Sequence, residues 1–230
     1  MVNNFIITFF FFLSGMVAHT QQNNGLAKYK VKLADVQDDL QPFLKSLEPV
    51  LDNLTYTLRF TEDESIYRVE ESMGVDNDRQ LEAARIVAGK GVYFYEKNGE
   101  HIIQKEFSGD MFLIEPDHPE LGWKIIDERK MVGEFECIKA IGINRGFDNN
   151  ESTVVAWFSP QINVPYGPNE YFGLPGLILE VEDKGVIYYC TSIGFGQQHI
   201  EKPQKGIKIT EKKLNEYVLK QASEEFGYKN

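Results

Sequence analysis

VYFYEKNGEHIIQKEF, residues 92–107, decides the fold. Val92–Glu96 and Glu100–Phe107 are rich in aromatic and β-branched residues, and Asn98-Gly99 lies between them. Asn-Gly suits a type I′ turn, whose two central residues both need positive φ. The stretch therefore predicts two antiparallel strands joined by a tight hairpin.

The same reading extends outward. Downstream, Met111–Glu115 is a short strand, and Trp123–Arg129 and Met131–Asn144 are two more around Lys130–Gly133. Ser152–Ser159 follows, and Leu177–Glu182 with Val186–Ile193 make a hairpin closed by Asp183-Lys184-Gly185. Upstream, Leu54–Thr61 alternates, with Leu54, Tyr56, Leu58 and Phe60 on one face. Ser65–Glu70 and Lys28–Leu33 are further strands, and the polar stretch Met73–Arg85 reads as loop or as loop with a helical turn.

Two segments have a period near 3.6 instead. Val36, Leu40, Phe43, Leu44, Leu47, Val50 and Leu51 form an apolar stripe, predicting a helix over 36–52 with Asp35 as its cap. Pro42 and Pro49 should kink or break it. Thr210–Phe226 is a C-terminal helix, with Thr210 as N-cap and Leu214, Tyr217, Val218 and Ala222 facing the core. Some ten short strands and two flanking helices predict an α+β fold, mainly antiparallel β. The expected form is a curved sheet or half-open barrel with the N-terminal and C-terminal helices packed on it.

Residues 5–18, FIITFFFFLSGMVA, are apolar and uncharged, and HTQQNNG follows. At about 14 residues the run is shorter than the ~20 that span a bilayer as a helix. It predicts a cleaved signal peptide over residues 1–20, although its n-region MVNN lacks the usual cation. Residues 21–230 then form a single domain, exported and without a stable membrane span. The net charge of −11 argues against nucleic acid and against anionic membrane surfaces. Cys137 and Cys190 both lie in strand-like runs and allow either one disulfide or two buried thiols.

In Leu174-Pro175-Gly176-Leu177, Pro at i+1 and Gly at i+2 predict a type II turn. Its two readings are a structural turn and a surface finger that touches a partner. No nucleophile, acid or base lies among Gly173–Leu177. With Tyr166, Tyr171 and Phe172, the residues Gly173, Leu174, Pro175 and Gly176 form the candidate binding loop, stiffened by four prolines between 160 and 175. Glu115, Asp117, His118 and Glu120 are weak candidates for a metal site. No cofactor motif, G-x-S-x-G elbow, H-E-x-x-H or C-x-x-C is present.

Gly173-Leu-Pro-Gly-Leu-Ile178 resembles the signature of the GLPGLI family, also called Porph_ging, of exported Bacteroidetes proteins. Ala156-Trp-Phe-Ser-Pro160 is similar to its AWFTP strand end, and Tyr166-Gly-Pro168 to its xGP loop. Gly133–Ala140 is similar to its GYxCxKA strand, with Phe135 for Tyr. Trp123 and Glu128 resemble the strand before it, and Tyr56–Ser65 its yxLxFxxxeS strand. The resemblance implies an envelope setting with an envelope protein or outer-membrane TonB-dependent receptor as partner. It brings no catalytic residues. The expected function is an accessory or binding protein. The alternatives are a carrier holding a lipid or lipidated chain in a half-barrel, and a hydrolase with a dispersed site.

Overall fold

The computed structural model describes residues 23–34, 41–70, 79–97, 99–116, 121–145 and 150–226. The signal segment, Asp35, Asn98, Asp117, His118 and Glu120 lie outside the described residues. Six strands form the first half of a single sheet: β1 (Gly25–Leu33), β2 (Tyr56–Phe60), β3 (Glu64–Val69), β4 (Val92–Glu96), β5 (His101–Phe107) and β6 (Asp110–Glu115). Each pairs antiparallel with the next, so the chain starts mid-sheet and meanders to one edge.

The chain then crosses to the far edge and works back. β7 (Lys124–Val132), β8 (Phe135–Arg145), β9 (Glu151–Ser159), β10 (Leu177–Asp183) and β11 (Val186–Phe195) pair in sequence, and β11 closes against β1. A short β12 (Ile207–Thr210) joins β6 in parallel, giving a twelve-stranded open sheet. The sheet is curved. Phe135 and Phe195 sit on β8 and β11, three strand steps apart, which is about 14 Å in a flat sheet. Their ring centroids are 6.4 Å apart.

The core fills the sheet's inner face. Tyr29, Tyr56, Leu58, Phe60, Tyr67, Leu177, Leu179 and Val181 are each 1% exposed or less. Tyr56 and Tyr67 stack at 5.4 Å, and Tyr29 and Tyr93 meet Tyr67 edge-on. Helix α1 (Gln41–Leu51) closes over β1 through Leu47 and Leu51. It runs unbroken, with Pro42 in its first turn, where a missing donor costs nothing, and Pro49 in its last.

Structure and sequence reading differ in three places. Residues 79–87, which overlap the stretch read as loop or a helical turn, form a full helix, α2 (Arg79–Val87), which buries Ala84 and packs on α1. Its charged sequence hides a stripe of one leucine and small residues. β12 was missed because it completes a parallel pair that no hairpin signal announces. The β7–β8 turn lies at Gly133-Glu134, not near Lys130. In the 92–107 hairpin the Gly99 N–H bonds Glu96 O and the Glu96 N–H bonds Glu100 O, while Asn98 of the expected Asn-Gly turn lies outside the described residues. The third helix, α3 (Glu211–Phe226), is as expected, with the Lys213 N–H reaching Thr210 Oγ1.

Candidate functional site

The loop between β9 and β10 is built by close backbone approach. A Cβ on Gly176 would lie 2.3 Å from Ser159 O, and one on Gly167 would lie 2.7 Å from Tyr171 O. The Ile178 N–H bonds Tyr166 O, and the Leu177 N–H bonds Ile162 O. Thus 156–160, 166–168 and 173–178, three separate motifs in sequence, form one packed knot. The expected type II turn is absent. The Gly176 N–H bonds Leu174 O instead, a tighter turn around Pro175, and Gly176 is glycine for lack of space. Leu174 is 1% exposed and belongs to the core, so the surface-finger reading is overturned.

The residues just before that turn face outward differently. Trp123 lies in a slot between two glycines: a Cβ on Gly142 would press on its ring at 2.9 Å, and one on Gly173 would touch it at 3.9 Å. The indole N–H donates to Phe172 O at 2.8 Å. Phe172 in turn packs at a tilt against Tyr95 and meets the His101 ring edge-on, with centroids 4.6 and 4.0 Å away. These rings, with Leu121, Pro116, Glu170, Asn144 and Arg145, enclose a cavity of about 360 Å³. Arg145 is held at the surface by Glu151, 2.9 Å away.

A buried carboxylate supports the cavity wall. Asp183 accepts from Tyr171 Oη (2.9 Å), Asn144 Nδ2 (2.7 Å) and Ser152 Oγ (2.7 Å). Three donors compensate its desolvation and tie β8, β9 and the loop to β10. Burial first, then the neighbouring carboxylates and Tyr188, raise the Tyr171 hydroxyl well above its ordinary range, so it stays a donor.

Phe172 and His101 also border a second, small chamber of about 30 Å³. Tyr95, His101, Pro116, Glu170, Tyr171 and Phe172 line both spaces. Tyr67, Tyr93 and Asn169 line the smaller one. Tyr67 Oη, Asn169 Oδ1 and His101 Nε2 are buried and have no hydrogen-bond partner among the described residues. Burial lowers the His101 pKa from 6.5 to about 4, so its ring is uncharged at neutral pH.

The other sequence candidates separate. Of the binding loop, Tyr166, Tyr171, Leu174 and Gly176 are buried, Phe172 is partly buried, and Gly173 and Pro175 are exposed. Cys137 and Cys190 are free thiols, which corrects the disulfide option. They sit on β8 and β11 with two strands between, and each sulfur faces a carbonyl two residues along. Burial pushes Cys137 up to about 11 and Cys190 to about 12. Glu115 is exposed at the end of β6. Among the described residues no group of three His, Cys, Asp or Glu forms a metal site, and no helix is long and apolar enough to cross a membrane. Sequence reading missed Tyr95, His101, Asn144, Arg145 and Glu170. His101 and Tyr95 are partners in the 92–107 hairpin, so that register was the available signal.

Fold and cavity together define a class: an open, curved antiparallel sheet with an aromatic-walled cavity beside its β9–β10 loop. The family model described as "Protein of unknown function (Porph_ging)" matches residues 144–180. It bears out the resemblance read from the motifs. Solved structures of PNGF-II in C2 and P21 crystal forms share the fold, with TM-scores of 0.57 and 0.55 at 12% identity. They cover 86% of this chain, which spans only about a third (33% and 34%) of the PNGF-II chain. Comparison with curated proteins gives no match.

Proposed function

We propose that the chain is a non-catalytic, exported binding protein of the cell envelope, and that the cavity beside Trp123 and Phe172 is its ligand site. One observation carries this reading. Asn144, Arg145, Glu170, Tyr171, Phe172 and Gly173, half of the twelve residues lining the cavity, fall inside the family-matched segment. The knot at Gly176 fixes the far side of the same loop, so the segment both folds the loop and presents the cavity wall. The volume of about 360 Å³ lies at the lower end of small-ligand sites. Rings with a few polar groups suit binding, and among the described residues the lining of this cavity offers no serine, threonine or cysteine as nucleophile. A lipid carrier is a poorer account, because Tyr29, Tyr56, Tyr67 and Phe60 already occupy the inner face of the sheet. An envelope partner, including a TonB-dependent receptor, remains part of the proposal through the family resemblance.

The test is capture from solubilised envelope with the wild-type chain and with Phe172→Ala, followed by identification of retained small molecules and proteins. Loss of a retained molecule in the variant supports the cavity. Equal retention by both places binding elsewhere and overturns it.

A further inference from the structure

The smaller chamber says what kind of ligand end the site takes. We propose that the two adjoining spaces form one site for a small primary organic ammonium ion, its –NH3⁺ in the smaller chamber and its body in the larger cavity. The inference rests on the reading of the cavity as a binding site.

Hydrogen bonding comes first. Tyr67 is 1% exposed, and its hydroxyl, Asn169 Oδ1 and His101 Nε2 are all buried and unpartnered among the described residues. Buried polar atoms without partners are rare and ask for a missing group. The Asn169 side chain already hydrogen-bonds Tyr188, which leaves its carbonyl as the acceptor on offer. Uncharged His101 accepts at Nε2 when its proton is on Nδ1. All three residues line the smaller chamber, and a primary ammonium carries three N–H donors. In the ligand-free protein a water molecule suits the same chamber, whose 30 Å³ exceeds the minimum for one.

Charge then favours the cation over water. Glu170 lines both spaces. The negative charges of Glu170 and Asp183 also help to raise the hydroxyl pKa values of Tyr171 and Tyr188, after burial itself. Arg145, the cation of the larger cavity's lining, is paired with Glu151. The rings Tyr67, Tyr93, Tyr95 and Phe172 add the negative faces that attract ammonium groups. Lys105 Nζ stands 5.3 Å from the Tyr93 centroid, so Tyr67, Tyr95 and Phe172 are the rings left to a ligand.

The experiment is a calorimetric titration with 2-phenylethylammonium, its N,N,N-trimethyl analogue, 2-phenylethanol and 3-phenylpropionate. A Trp157→Phe background lets Trp123 fluorescence report entry. The expected result is binding of the primary ammonium at least about tenfold tighter than the other three, with Trp123 responding. Tyr67→Phe and Glu170→Gln, each first shown to melt cooperatively, weaken the primary ammonium severalfold, and Glu170→Gln weakens it more than it weakens 2-phenylethanol. Equal or tighter binding of the alcohol, the carboxylate or the quaternary ion, with Trp123 responding, overturns the ammonium assignment but keeps the cavity as a site. Silence from all four probes overturns this assignment, and if Phe172→Ala also captures the same molecules as wild type, the site itself falls.

Discussion

Two ends of one loop do different work. From Leu174 to Ile178 the chain is packed against Ser159, Ile162 and Tyr166, and every side chain but Pro175 is buried. Phe172 and Gly173, immediately before, border a cavity. The named motif is therefore mostly architecture, and the residues that meet solvent are its neighbours. A sequence signature marks where the backbone is most constrained, and a functional wall can sit beside it on less distinctive residues.

The largest expected effect is at Gly176. Valine there sets a Cβ 2.3 Å from a backbone oxygen, and neither the strand end nor the turn can yield. Strain and overpacking together cost about 4 kcal/mol. That is a fall of roughly 8–16 °C in Tm for a domain of this size. A variant that melts like wild type would break the account of the knot.

Leu174→Ala comes next. It empties a fully buried position and costs about 3 kcal/mol by chemical denaturation, while Trp123 emission is unchanged. Tyr171→Phe is smaller. It removes one of three donors to Asp183 and leaves two, for about 1 kcal/mol. It also sharpens the comparison, because Tyr171 stands where the two ends of the loop divide.

A further effect is a slope with pH, confined to the acid side. His101 has a folded pKa of about 4 against 6.5 unfolded, so between these values the unfolded chain binds more protons. The contribution is complete above pH 6.5 and is lost as pH falls towards 4. His101→Phe keeps a ring against Tyr95 and Phe172 and should flatten this part of the stability profile, read as Tm at half-unit pH steps. An unchanged slope would mean that His101 is hydrated in the folded state.

Much of this was legible in the sequence where period carries information. Alternation in Leu54–Phe60 and the hairpin at 92–107 fix neighbours, and the 3.6 period of Leu214 and Tyr217 fixes α3. The misses share a cause. α2 buries little more than Ala84, and β12 pairs in parallel with a strand nearly a hundred residues earlier, so neither leaves a local pattern. The cavity was half legible. Phe172 and Gly173 lay in a loop marked by its prolines and aromatics, but Tyr95, His101 and Trp123 reach them only through sheet curvature and the two-glycine slot. The turn at Pro175 was misread because Pro-Gly is equally at home in a type II turn, and only Ser159 across the knot shows why glycine is needed.

The most direct test sets Leu174→Ala against Phe172→Ala, measuring Tm and the Trp123 fluorescence response to 2-phenylethylammonium in the same Trp157→Phe background. The account predicts that Leu174→Ala lowers Tm by roughly 6–12 °C and still responds at low temperature. Phe172→Ala should keep Tm within a few degrees of wild type and lose the response. The opposite pattern, a stable Leu174→Ala and a Phe172→Ala that melts early but still responds, would contradict the division of the loop into a folding end and a binding end.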